Sequence, residues 1–210
     1  MNSHLIELFN DEALAVRIQK RLPQLFRIAE LECLRTGKIG MQVGYVREDI
    51  LVSLLIYKFG EINVKTDIPK NEPEVDVKLF GQPISVKTIS SKSLTGVKLI
   101  WTVDAQNAKE FQENYHPSCD LLFTQIIWGS VGGLYYIPVE IQRSLLKSIG
   151  NQNYIKLPKV GTNPRGAEIT NEALFSLIHN SETRVVEIMW EKPQIDYNIF
   201  KRWVEYWSEG

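Results

Sequence analysis

Histidine and cysteine are scarce in this chain of 210 residues, and their placing removes whole classes of chemistry. Cys33 and Cys119 sit inside apolar stretches, with neither a CxxC pair nor the Cys/His spacing of a structural zinc site, so they read as buried free thiols in a reducing compartment. His4, His116 and His179 are scattered without metal-ligand spacing and are assigned no role; His116, before Pro117, reads as the start of a turn. No apolar run reaches the length of a membrane span, and Met1-Asn2-Ser3-His4 lacks the basic start and long apolar stretch of a secretory signal, so a cytoplasmic protein with no membrane partner is expected. No Gly-rich phosphate loop follows a strand, which argues against an α/β enzyme acting on small molecules. Charge of one sign is missing as well. The 24 Lys and Arg against 25 Asp and Glu leave a net charge of -1, so any nucleic-acid surface must be a local basic patch rather than a property of the whole chain.

What is present is an ordinary globular composition, 44% hydrophobic, enough for one substantial core. Apolar residues at three- and four-residue steps from Asp11 to about Leu34 predict two helices or one kinked at Pro23. Three glycines and two cations between Arg35 and Gly44 predict a loop, and a buried helix follows from Tyr45 to Phe59, stopped by Gly60. The period then changes to two. Strands are expected over Asn63 to Ile68, Glu74 to Leu79, Ile84 to Ile89 and Val97 to Val103, with a helix from Asp104, its N-cap, to Tyr115. A very apolar strand from Leu121 to Trp128, a strand from Leu134 to Val139 and a short helix from Glu140 to Ile149 come next. Asn151 to Thr170 reads as a long irregular loop, followed by a strand from Val185 to Trp190 and an amphipathic helix with Phe200, Trp203, Val204 and Trp207 on one face. This order implies an α/β fold, a mixed sheet flanked by helices.

The hairpin from Glu74 to Lys87 carries the chemistry. A tight turn centred on Gly81-Gln82 would set Asp76 opposite Lys87 and Lys78 opposite Ser85. Alternation then puts Val75, Val77, Leu79, Ile84 and Val86 on a core face and Glu74, Asp76, Lys78, Ser85 and Lys87 on the other. A solvated charged face explains this much. Three observations favour catalysis. Phosphodiester hydrolysis needs carboxylate oxygens for a hard cation and a nearby positive charge, which Asp76 and Lys87 supply on one face. Glu48 shares the inward line of its helix with Leu51, Val52 and Leu55, and an inward Glu needs a partner or a metal. The polar run Thr88-Ile-Ser-Ser-Lys-Ser93, with Ser90, Ser91 and Lys92, is rich in groups that hold phosphate.

A helix with an inward Glu, a hairpin with Asp, then Ser-x-Lys on the next strand and a strand-helix-strand unit together resemble the PD-(D/E)xK nuclease fold of type II restriction endonucleases, over roughly Tyr45 to Trp128. Gly40-Met-Gln-Val-Gly44, Pro73-Glu-Val-Asp76, Ile84-Ser-Val-Lys-Thr88 and Leu99-Ile-Trp-Thr-Val-Asp104 are similar to the small restriction enzymes typified by ThaI. The resemblance implies Mg²⁺-dependent, sequence-specific cleavage of double-stranded DNA at a short palindrome. It makes Asp76 a metal ligand, Lys87 the motif lysine and Ser85 the occupant of the acidic position. Because Ser85 brings no charge, a Glu from a neighbouring helix is expected to replace the acid: Glu48 first, then Glu110 or Glu74. A single domain over 1–210 is expected, with a helical part at 1–60, the catalytic sheet core at 61–150, and a DNA-recognition loop with the C-terminal strand and helix at 151–210.

For DNA contact, Lys156, Lys159, Asn163 and Arg165 on the later loop are candidate readers, Arg being the best reader of guanine. Arg35, Lys38 and Gln42 suit phosphates in the earlier one, where Met41 is either a wedge for a base step or core. Cutting both strands with one site per chain implies a homodimer, for which the C-terminal aromatic helix either supplies the interface or closes the core. A structure-specific or repair nuclease of the same fold, and an inactive DNA-binding protein that lost the acid at Ser85, remain as alternatives.

Overall fold

The computed structural model describes residues 2–35, 41–69, 74–100, 102, 104–158, 166–198 and 200–208. Of the DNA-contact candidates, Lys38, Lys159, Asn163 and Arg165 lie outside them, as do the side chains of Arg35 and Met41. In chain order the elements are α1 (Ser3–Asn10), α2 (Glu12–Arg35), α3 (Met41–Phe59), β1 (Val64–Lys65), β2 (Val77–Leu79), β3 (Gln82–Ser90), α4 (Ala105–Asn114), β4 (Asp120–Ile126), β5 (Val131–Ile137), α5 (Val139–Ile149), α6 (Asn151–Tyr154), β6 (Ile155–Lys156), β7 (Glu168–Ile169), α7 (Asn171–Ile178), β8 (Arg184–Met189) and α8 (Lys201–Ser208).

One six-stranded sheet in the order β1-β2-β3-β4-β5-β8 organises the molecule. Only β3 and β4 run parallel, joined by a crossover that contains α4; the other neighbours are antiparallel. Period-two alternation sorts the side chains. Val77, Leu79, Ile84, Val86, Leu122, Leu134, Tyr136, Val186 and Ile188 face a core completed by Leu5 and Leu8 of α1, Ile18, Leu22 and Phe26 of α2, and Leu51 and Leu55 of α3. The opposite face contributes Ile89, Leu121, Phe123 and Ile137 to a second core with Ile141 and Leu146 of α5 and Leu174 and Leu177 of α7. Helices therefore cover both faces, so the mixed sheet flanked by helices is as expected. It also means that the second face of the hairpin is not a solvated charged surface, since Ser85 is only 5% exposed.

The differences from the sequence reading have local causes. Helix α1 was not anticipated because its buried positions, Leu5 and Leu8, span too few turns to show a period; Asn2 caps it, its Oδ1 accepting from the N–H groups of His4 and Leu5. Of the two readings at Pro23 the structure takes the single helix, with Pro23 inside α2 and Leu22 and Phe26 buried on either side. Helix α3 begins at Met41, so Gln42, Val43 and Gly44 are helical rather than loop, and buried Val43 starts the line Arg47, Leu51 and Leu55. Burial there outweighs the low propensity of glycine. Gly60, with φ of 83°, ends α3 as expected.

The described part of the strand expected at 97–103 does not join the six-stranded sheet. It pairs instead with β7: Lys98 bridges Glu168, the Leu99 N–H donates to the Ala167 carbonyl and the Ile169 N–H to the Val97 carbonyl, both at 2.9 Å, with Val97 and Leu99 buried. The expected loop at 151–170 contains α6, β6 and β7, and α7 was not anticipated; its buried Ala173, Leu174 and Leu177 anchor it under β5. Helix α8 does not close the core, because all its described side chains are exposed. Finally, the hairpin turn is centred on Phe80-Gly81, with φ of 48° and 79°, which sets Lys78 opposite Pro83. Positive φ at both central residues matches strand twist, and Phe80 is held by stacking on His4 at 3.9 Å and edge contact with Phe59 at 5.9 Å. The two-residue slip preserves which side chains share a face.

Candidate functional site

The site forms where β2 stops and β3 continues. The last backbone bond on this side of β3 is from the Asp76 N–H to the Ile84 carbonyl, at 3.0 Å. Past it, the N–H groups of Val86 and Thr88 face an edge that no strand among the described residues covers, and unpaired backbone donors require other acceptors. Two carboxylates fill the gap. Asp76 Oδ2 accepts the Val86 N–H at 2.6 Å, and Glu48, reaching in from α3, accepts the Thr88 N–H. Donors two residues apart on a strand are about 7 Å apart, so both carboxylates line one short stretch of edge.

Asp76 Oδ2 also accepts the Lys87 ammonium at 2.8 Å and the Ser85 hydroxyl at 3.1 Å. All three donors go to that one oxygen; among the described residues none reaches Oδ1. Lys87 is mostly buried, its side chain 18% exposed, so the ion pair is stronger than a surface one. Glu48 is in the opposite condition. Burial first of all pushes its carboxyl from an ordinary 4.5 up to about 7; Asp76 and Asp49 push the same way, while Lys87 and the Thr88 N–H pull it down. A carboxyl so placed gains from a cation.

The structure thus brings Asp76, Ser85, Lys87 and Glu48, the four residues expected from the sequence, together in one cluster. The other acids go elsewhere. Glu110 is exposed on α4 and accepts from Gln106 at 2.9 Å, and the Glu74 carboxylate is bound by Tyr115 and Ser118. Of the phosphate candidates, Ser90 and Lys92 are exposed, and Ser91 Oγ shares a hydrogen bond with Ser93 Oγ at 2.9 Å. The buried Gln125 donates to the carbonyls of Ser91 and Lys92 at 3.2 and 3.3 Å, stiffening that loop from below. Gln42 is exposed on α3, and Lys156 lies 3.9 Å from Glu168.

One supporting group was not foreseen. Glu30 on α2 accepts from the nearly buried Arg47 at 2.6 Å, from the Trp128 indole N–H at 2.7 Å and from Arg27 at 3.2 Å, with Lys192 at 3.5 Å. This hub ties α3 to α2 one residue before Glu48. Only the spacing of Arg47, Leu51 and Leu55 pointed to it, since an arginine on an apolar line implies a buried acid.

Among the described residues no three His, Cys, Asp or Glu side chains gather as a metal site, and none forms a helix long and apolar enough to cross a membrane. Two carboxylates suffice for a hard cation that keeps water and phosphate ligands, so Asp76 and Glu48 suit one. Cys33 and Cys119 are buried and form no disulfide, and burial pushes the Cys119 thiol up to about 12, leaving it inert.

A comparison with curated proteins finds no match. A solved structure described as a restriction endonuclease in complex with substrate DNA is 56% identical, with a TM-score of 0.89 over 99% of this chain and 100% of that one. The family model for restriction endonuclease ThaI matches residues 8–209, and that family generally uses a divalent metal cofactor. With its mixed sheet, its Asp76–Lys87 pair and this match along nearly its whole length, the chain belongs to the ThaI family of restriction endonucleases.

Proposed function

We propose that this type II restriction endonuclease hydrolyses phosphodiester bonds of double-stranded DNA at a short palindrome, with Mg²⁺ as its cofactor and Asp76, Glu48, Lys87 and Ser85 as its site. The observation that carries the reading is the free edge of β3, which gathers two carboxylates and an ammonium at one point. Asp76 and Glu48 would hold the ion, which supplies charge neutralisation at the phosphate and a more acidic water. Lys87 orients the attacking water and offsets charge as it adds to phosphorus and the P–O ester bond breaks. Ser85 does not replace the motif acid. It donates to Asp76 Oδ2 and aims it.

Ser90, Ser91 and Lys92 at the end of β3 lie next to this point and suit the phosphates beside the cut; Gln42, Met41, Arg35, Lys38, Lys156, Lys159, Asn163 and Arg165 are the further DNA-contact candidates. One site per chain favours a homodimer on palindromic DNA, and the exposed face of α8, with Val204 61% and Trp207 91% exposed, suits the second copy. Two buried cysteines without a disulfide suit a cytoplasmic setting.

Incubation of the protein with long linear phage DNA, with and without Mg²⁺, tests the reading. Discrete fragments only with metal are expected, and sequencing their ends gives the site. A smear would make it a nuclease without sequence choice, and intact DNA under every divalent metal would replace it with a DNA-binding protein. Sedimentation of the chain at assay concentration should give two chains per particle, and Trp207→Glu should shift it to one.

A further inference from the structure

Glu74 stands two residues before Asp76, in a stretch that no strand ladder holds, because β2 begins at Val77. Its carboxylate is taken up by the loop between α4 and β4. Oε1 accepts the Tyr115 hydroxyl at 2.5 Å, and Oε2 accepts the Ser118 N–H at 3.1 Å together with the Ser118 hydroxyl. The Glu74 carbonyl lies 3.8 Å from the Cys119 thiol, which donates to it. Tyr115 is 7% exposed and packed against Phe111 and Tyr154, with ring centroids at 5.0 and 5.9 Å, so the core aims its hydroxyl. The same loop leads directly into β4, the parallel neighbour of β3, with Asp120 opposite Ile84 and Leu121 opposite Ser85. The chain around Asp76 is thus fixed from two sides: by β3 through Ile84 and Val86, and by the approach to β4 through Glu74.

We propose that Glu74 is a positioning residue: bound to Tyr115 and Ser118, it holds the Asp76 carboxylate against the free edge of β3 and so sets how well the site takes a divalent cation. It is not the substitute for the missing acid, since both of its oxygens are taken up by Tyr115 and Ser118, whereas Oδ1 of Asp76 accepts from no described residue. The proposal rests on the reading of Asp76 as a metal ligand. Outer residues that orient metal ligands typically change metal affinity 10- to 100-fold, and an effect of about tenfold is expected here.

The test uses the full chain carrying Glu74→Gln, Tyr115→Phe, Ser118→Ala or Ser118→Thr, with Asp76→Ala as reference. Two quantities are read: hydrogen exchange of the Val86 amide in metal-free protein, because that N–H is bonded to Asp76, and Ca²⁺ affinity by calorimetry without turnover. Glu74→Gln, Tyr115→Phe and Ser118→Ala should each speed Val86 exchange and weaken Ca²⁺ binding about tenfold, while Ser118→Thr restores both. Tyr115→Phe removes one oxygen from an intact core, so its result stands even if Glu74→Gln misfolds. Wild-type exchange and affinity in all three variants would overturn the proposal. So would abolished Ca²⁺ binding in Glu74→Gln alone, which would make Glu74 a direct ligand. Undiminished Ca²⁺ binding by Asp76→Ala would instead defeat the reading of Asp76 itself, whatever Val86 exchange shows.

Discussion

Replacing Glu48 by Gln tests the site without any DNA. In the metal-free protein the folded chain holds the Glu48 proton more tightly than the unfolded chain does, because burial, with Asp76 and Asp49 adding to it, disfavours the carboxylate. A group of that kind contributes stability below its unfolded value and loses it as pH rises through its folded value. The window therefore opens near 4.5 and closes a little above 7. A rise from 4.5 to about 7, at about 1.4 kcal/mol for each tenfold change in proton affinity, amounts to roughly 3 kcal/mol at pH 8. Gln keeps an oxygen for the Thr88 N–H and never has to ionise. Urea unfolding in EDTA should thus find Glu48→Gln equal to wild type near pH 4 and more stable by up to roughly 3 kcal/mol at pH 8. Adding Mg²⁺ at pH 8 should stabilise the wild type and leave the variant nearly unmoved. Equal stability at pH 8, or a less stable variant, would refute the argument that Glu48 is a buried carboxylate awaiting a cation.

Lys87→Ala and Asp76→Ala should each lower cleavage on the order of a thousandfold or more in a steady-state assay on a single-site duplex, with unchanged circular dichroism. Glu30→Ala should destabilise the fold by about 3–5 kcal/mol in urea titrations, because it leaves the nearly buried Arg47 without its acid. Gly132→Ala should cost about 1–3 kcal/mol, read as a fall in the unfolding midpoint, since the added Cβ would lie 2.3 Å from the Gln125 carbonyl and 2.8 Å from the Trp190 indole nitrogen.

Much of the cluster around Asp76 was legible because it follows strand and helix periods. Alternation put Asp76, Ser85 and Lys87 on one face even with the turn misplaced, since a slip of two residues leaves parity intact. The three- and four-residue steps of α3 put Glu48 inward with Leu51 and Leu55. Glu74 shares that parity and sits two residues from Asp76, yet its carboxylate is claimed by Tyr115 and Ser118, more than forty positions on. The helices α1 and α7 are too short for their two or three buried positions to show a period, and the stretch at 97–103 takes its partner from β7, some seventy positions on, rather than from the sheet.

The sequence by itself determined the order of most elements, the two faces of the hairpin and the identity of the charged groups, because periods of 2 and 3.6 are properties of neighbouring residues. Only the tertiary structure decided that β2 stops short of Asp76, that the bare N–H groups of Val86 and Thr88 draw Asp76 and Glu48 to one edge, and that Glu30 and Glu74 are tied up elsewhere. Those outcomes depend on which unpaired donors and buried charges meet across the fold, and no local window of sequence contains both partners.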